Sequence, residues 1–201
     1  VLAAVPVACG SDGGGDAASP AKATTIEGLQ RDRPLEVGEV ALPQVAEDGT
    51  TTSFPLQAEP GGLLFTAFGY TNCPDVCPTT LSDIRKALAL LDDEEAERVQ
   101  VAFATVDPAR DTPEVMNAYL GSFVTDGHPL RTDDPEELAA AEEALGISSQ
   151  VVEQPDGRIE VAHTARSFVI DDAGRVVVEW SFGTSAEVMA SDLHLLLGEQ
   201  A

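Results

Sequence analysis

The chain has 201 residues, 43% of them hydrophobic and 23% charged, enough apolar matter for one domain of ordinary size and too much for global disorder. Its 35 acidic residues face only 11 basic ones, a formal net charge of -24. A phosphate backbone repels such a surface, so no nucleic-acid partner is expected, and the acidity reads as solvation.

The first ten residues, VLAAVPVACG, are small and apolar. A helix of that length cannot span a bilayer, which takes about 20 residues. The stretch reads instead as the tail of a secretory signal ending at a small-residue cleavage site. Val7-Ala8-Cys9-Gly10 resembles a bacterial lipobox, whose cysteine becomes the lipidated terminus, although Pro6 stands where leucine is usual. A Gly/Ala/Ser/Thr-rich run, SDGGGDAASPAKATT, follows as a flexible linker. Residues 1–34 are thus expected to be a signal remnant with a lipobox and linker, and 35–201 the ordered domain. The expected address is the cell envelope, on the outer face of the cytoplasmic membrane, with a lipid anchor at Cys9. A lipidated Cys9 leaves Cys73 and Cys77 as the two remaining thiols, in a compartment that permits disulfides.

EVALPQVAEDGTTTSFPLQ predicts two strands turning at Asp48-Gly49. GGLLFTAFGY is a nearly continuous apolar run, as in a strand covered on both faces. The cysteine loop comes next. Leu81, Ile84, Leu88 and Leu91 then recur at helical spacing, with Pro78 in the first turn. VQVAFATV is a second buried strand, and DTPEVMNAYLGSF opens a helix with Asp111 or Thr112 as cap and Pro113 at its first position. DPEELAAAEEALGI supplies a short helix, ARSFVIDDAGRVVVEW a hairpin, and SAEVMASDLHLLLGEQ a closing amphipathic helix. Alternating strands and helices imply an α/β fold whose first two buried strands are parallel. The order fits a thioredoxin-like fold with an N-terminal β-hairpin and a helical insertion, the cysteine loop lying at the strand edge where ligands gather.

Three uses remain open for the cysteine pair: structural disulfide, redox dithiol or half of a metal site. Residues i and i+4 of a helix lie about 6 Å apart on one face. That separation suits a disulfide and also lets two thiolates converge on one ion. A helix N-terminus lowers thiol pKa values. Pro74 and Pro78 stiffen the loop. A purely structural bridge gains little from so short a loop. Of three histidines, His194 reads as a helix-face residue and His128 as a loop residue before a proline. His163 stands in the loop immediately before a predicted core strand, which a thioredoxin-like layout puts beside the first helix's N-terminus, and could close a Cys2His site suited to copper or zinc. Geometry alone does not choose between metal and redox.

FGYTNCPDVCPTTL, TVDPARDTPEVMNAYL and AHTARSFVIDDAGRVV resemble the three hallmark blocks of the Sco/SenC family, over roughly residues 36 to 199. These are exported or membrane-anchored thioredoxin-like proteins that take part in copper delivery to cytochrome c oxidase. The resemblance implies one copper bound by Cys73, Cys77 and His163, with Asp75 tuning the site. The matching block Asp107, Pro108, Arg110, Asp111, Thr112 and Pro113 reads as a helix cap and loop brace beside the site, since an Arg paired with Asp can hold two loops together. The C-x-x-x-C spacing, and the absence of a proline from HTARSF, depart from thioredoxin-type reductases.

The expectation is a copper metallochaperone serving the CuA-containing subunit of cytochrome c oxidase, with other copper chaperones as further partners. The alternative is a thiol-disulfide oxidoreductase that reduces the CuA cysteines, or a redox sensor, with Cys73 and Cys77 as the catalytic pair.

Overall fold

The computed structural model describes residues 24–199. The lipobox reading at Cys9 lies outside the described residues. Among them, no helix is long and apolar enough to cross a membrane.

Strands β1 (Ala41–Val45) and β2 (Thr51–Pro55) form the expected antiparallel hairpin. Then come β3 (Leu63–Gly69), α1 (Val76–Leu88), α2 (Asp93–Glu97), β4 (Val99–Thr105), α3 (Pro113–Gly121), β5 (His128–Leu130) and α4 (Pro135–Leu145). Strands β6 (Ser149–Glu153), β7 (Ile159–His163), β8 (Arg166–Ile170) and β9 (Val176–Ser181) precede α5 (Ala186–Glu199). Seven strands share one sheet in the order β2-β1-β5-β4-β3-β8-β9, while β6 and β7 form a separate ribbon. The parallel pairing of β3 with β4, and the β8–β9 hairpin, are as the sequence predicts.

Strand β3 is buried along its whole length because both of its faces are covered. Its alternation divides the core: Leu63, Phe65 and Ala67 pack with residues of α1, α3 and α5, and Leu64 and Phe68 with the other cluster, which includes Leu42, Phe54 and Leu145 of α4. Fully burying one such side chain stabilises the fold by about 1.5–3 kcal/mol. Thr112 caps α3 and Pro113 opens it, which settles the choice between Asp111 and Thr112.

Packing begins upstream of the 34/35 boundary that composition suggested. Ile26 packs on the core, and Leu29 bridges Glu179 of β9. The N–H groups of Glu27 and Gly28 donate to the buried carboxylate of Asp192, as does Trp180 Nε1–H. A Cβ at Gly28 would lie 2.5 Å from Val178 and 2.7 Å from Trp180, so only glycine lets the chain pass there.

Candidate metal centre

The thiol half grows out of the central strand. At Gly69 β3 ends, the chain turns through Tyr70 to Asp75, and α1 starts at Val76. Cys77 lies in the first turn of the helix, whereas Cys73 sits in the turn before it, so the pair does not share a helical face as expected. The Cys77 N–H donates to Cys73 Sγ at 3.3 Å, while the Asp75 side chain makes no capping bond. One otherwise orphan helix N–H therefore ends on a thiol. Both cysteines are free, at 8% and 3% exposure. The end of β3 must be glycine: a Cβ on Gly69 would sit 2.5 Å from Cys77 Sγ and 2.9 Å from the Phe103 ring. A helix N-terminus favours thiolates, but burial outweighs it here and pushes the Cys77 thiol well above its ordinary value. The neighbouring Cys73 and Asp111 push the same way.

The histidine half comes from the ribbon. His163 is the last residue of β7 instead of a loop residue. Its Nε2 lies 3.7 Å from Cys77 Sγ, and its Nδ1 lies 3.2 Å from the Thr164 carbonyl oxygen. That carbonyl can only accept, so Nδ1 carries the proton and Nε2 presents its lone pair to the thiols. One donor atom from each of Cys73, Cys77 and His163 lies within 4.8 Å of the other two. Tyr70 stands edge-on to His163, ring centroids 6.0 Å apart, with the Arg110 guanidinium 5.9 Å from the Tyr70 ring centre. A cleft of about 330 Å³ opens between Cys73–Val76 and Val161–Ala165.

The other two histidines stay away from this cluster. His128 is half-buried in β5 against Phe54, with Nδ1 3.2 Å from Gln44 Oε1. His194 on α5 pairs with Glu95.

The loop brace differs from the expected one. Arg110 pairs with Asp107, three residues away in the same loop. The bond between two loops is made by Asp111, which is fully buried and accepts from Thr71 N–H at 2.9 Å, Thr71 Oγ1 at 2.6 Å and Thr105 Oγ1 at 2.6 Å. Arg131 reinforces it by donating to the backbone oxygens of Asp111 and Pro108 at 2.9 and 3.0 Å. Sequence reasoning passed over Gly69, Tyr70 and Thr71 although they stand in the cysteine motif itself. Nothing in the sequence around Arg131 pointed to the site.

Two thiols and one imidazole form a soft-to-borderline donor set that suits copper or zinc. The same thiols are close enough to act as a dithiol. Fold and site together define an α/β, thioredoxin-like protein with a Cys-Cys-His cluster at the end of its central strand. Residues 49–198 match SCO1/SenC, and the chain belongs to that family. A Stutzerimonas stutzeri protein is 34% identical over 137 residues, covering 68% of this chain and 67% of its own. A structure of Bradyrhizobium japonicum ScoI with copper bound is 32% identical, covers 77% of this chain and 96% of that one, and superposes with a TM-score of 0.64. For apo Sco1 from Thermus thermophilus the figures are 31%, 88%, 98% and 0.69. The chain spans only part of the curated relatives it matches: 67% of the Stutzerimonas stutzeri protein, 62% of the SCO2-like protein of Rickettsia prowazekii and 37% of the mitochondrial SCO2 of Saccharomyces cerevisiae.

Proposed function

We propose that this protein binds copper through Cys73, Cys77 and His163 and passes it by ligand exchange to the CuA site of cytochrome c oxidase during assembly. The observation that carries this reading is the mutual approach, within 4.8 Å, of three donor atoms of matching chemistry. The copper-bound relative at 32% identity supports it. Loading must displace the proton held on Cys77, so copper binds more weakly as pH falls. Closing a Cys73–Cys77 disulfide sends two electrons to an oxidised partner pair, releases the thiol protons and removes both sulfur donors, so redox state gates loading. The Val7-Ala8-Cys9-Gly10 pattern supports a lipid anchor at Cys9, which would hold the folded domain at the outer face of the membrane near its recipient. Copper stoichiometry of the reduced chain tests the proposal. One ion per chain is expected, lost in Cys73→Ser and Cys77→Ser and bound more weakly in His163→Ala; unchanged affinity in all three variants sinks it.

The free state of both thiols favours one second reading: reduction of the CuA-site cysteines by disulfide exchange, or redox sensing through the same pair. Exchange with a CuA-site peptide separates the two. Exchange that copper blocks belongs to a carrier, while exchange indifferent to copper and to His163→Ala belongs to a reductant.

A further inference from the structure

Asp111 is tied to the cysteine loop through Thr71, and all three of its hydrogen-bond donors are uncharged. Both of its oxygens accept, from one backbone N–H and two hydroxyls. No cation bonds the carboxylate itself: Arg110 pairs with Asp107, and Arg131, paired with Asp133, reaches only the backbone oxygens of Asp111 and Pro108. Among the described residues, no Lys or Arg forms an ion pair with Asp111. A fully buried charge without a counter-charge is costly, and charge-assisted hydrogen bonds only offset part of that cost. Thr71, which supplies two of those bonds, stands two residues before Cys73.

We propose that Asp111 is an electrostatic positioning residue of the copper site, holding the cysteine loop through Thr71 while its buried negative charge biases the bound ion toward Cu(II) over Cu(I). The inference rests on copper binding at Cys73, Cys77 and His163. A fixed negative charge attracts a dication twice as strongly as a monocation.

The test measures Cu(II) and Cu(I) affinities of the full-length reduced chain, in the wild type, Asp111→Asn and Thr71→Val. Asp111→Asn keeps the shape and removes the charge. Its Cu(II)-to-Cu(I) affinity ratio is expected to fall roughly tenfold, the scale of one unit charge acting over about 10 Å at an effective dielectric near 20. Thr71→Val deletes one hydrogen bond but keeps the charge, and its ratio is expected to stay at the wild-type value. Should Asp111→Asn fail to fold, the triple variant Thr71→Val, Thr105→Val, Asp111→Leu removes the carboxylate together with its hydroxyl donors and is expected to show the same fall. A wild-type ratio in the charge-removing variant overturns the inference and leaves copper binding intact. An equal fall in Thr71→Val overturns it too, because loop position would then account for the change. A wild-type chain that binds no copper fails at the earlier step and is recognised as such.

Discussion

The two halves of the site are built to different standards. The cysteines stand between the fully buried strand β3 and the first turn of α1, tied through Thr71 to the buried Asp111. His163 ends a two-stranded ribbon separate from the main sheet, with Val151 and Val152 exposed and Val161 packed on the core. An isolated pair of strands is marginal in water. Here it is fastened at its base by Thr164 N–H to Ser148 O at 3.0 Å and Ser148 N–H to Thr164 Oγ1 at 3.2 Å. The thiols are therefore pre-positioned, and the imidazole is the ligand that can be ordered or released at low cost. A carrier that must both hold and surrender an ion gains from that division.

The comparison breaks most visibly at Gly69. Replacing it with alanine drives a Cβ into Cys77 Sγ and the Phe103 ring, neither of which can move without disturbing the core. Gly69→Ala is expected to cost about 2 kcal/mol in urea denaturation, the usual scale of overpacking, and to weaken copper binding through the thiols. Wild-type stability together with wild-type copper affinity would show the thiol half to be as yielding as the ribbon.

A milder probe sharpens the other side. Gly157 turns the β6–β7 ribbon at φ +81, with open space around its missing Cβ. Gly157→Ala therefore costs only backbone strain, about 1 kcal/mol. The effect is expected to stay local: faster hydrogen exchange at β7 amides by roughly fivefold, unchanged exchange in β3, and a matching small loss of copper affinity. Equal acceleration in both strands would deny that the ribbon opens by itself.

The sequence shows these halves unequally, for physical reasons. The thiol half was legible because burial writes itself as composition: an unbroken apolar run for β3, helical spacing for α1 and a dense Cys-Pro motif between them. The ribbon has one exposed face and few core contacts, so its alternation is faint, and only Asp156-Gly157 marked its turn. As a result His163 was expected in a loop and found at a strand end. Strand β5 is three residues long with Pro129 in the middle, too short for any periodicity. The capping box of α2, Asp92 with Glu95, was present in the sequence, but the apolar spacing of α1 ran up to it and hid the break. The Asp111 brace depends on a register between loops 40 residues apart, which local pattern cannot report.

His128 supplies the smallest effect and an internal control, a histidine that serves packing alone. Burial lowers its pKa below the ordinary value of 6.5, against a weaker upward pull from Asp126 and Glu59. The folded chain thus keeps this ring neutral at a pH where the unfolded chain has begun to take up the proton. Stability from this residue is complete above the unfolded pKa and declines as pH falls from about 6.5 toward the lower folded value. His128→Gln has no proton to take up there, so its stability is expected to fall less than the wild type's between pH 7 and 5. Copper affinity at fixed pH is expected to be unchanged, because His128 bonds Gln44 and stacks on Phe54, away from the thiols. If His128→Gln lowered copper affinity as His163→Ala does, the main sheet as well as the ribbon would be setting the third ligand, and the division between the two halves would fail.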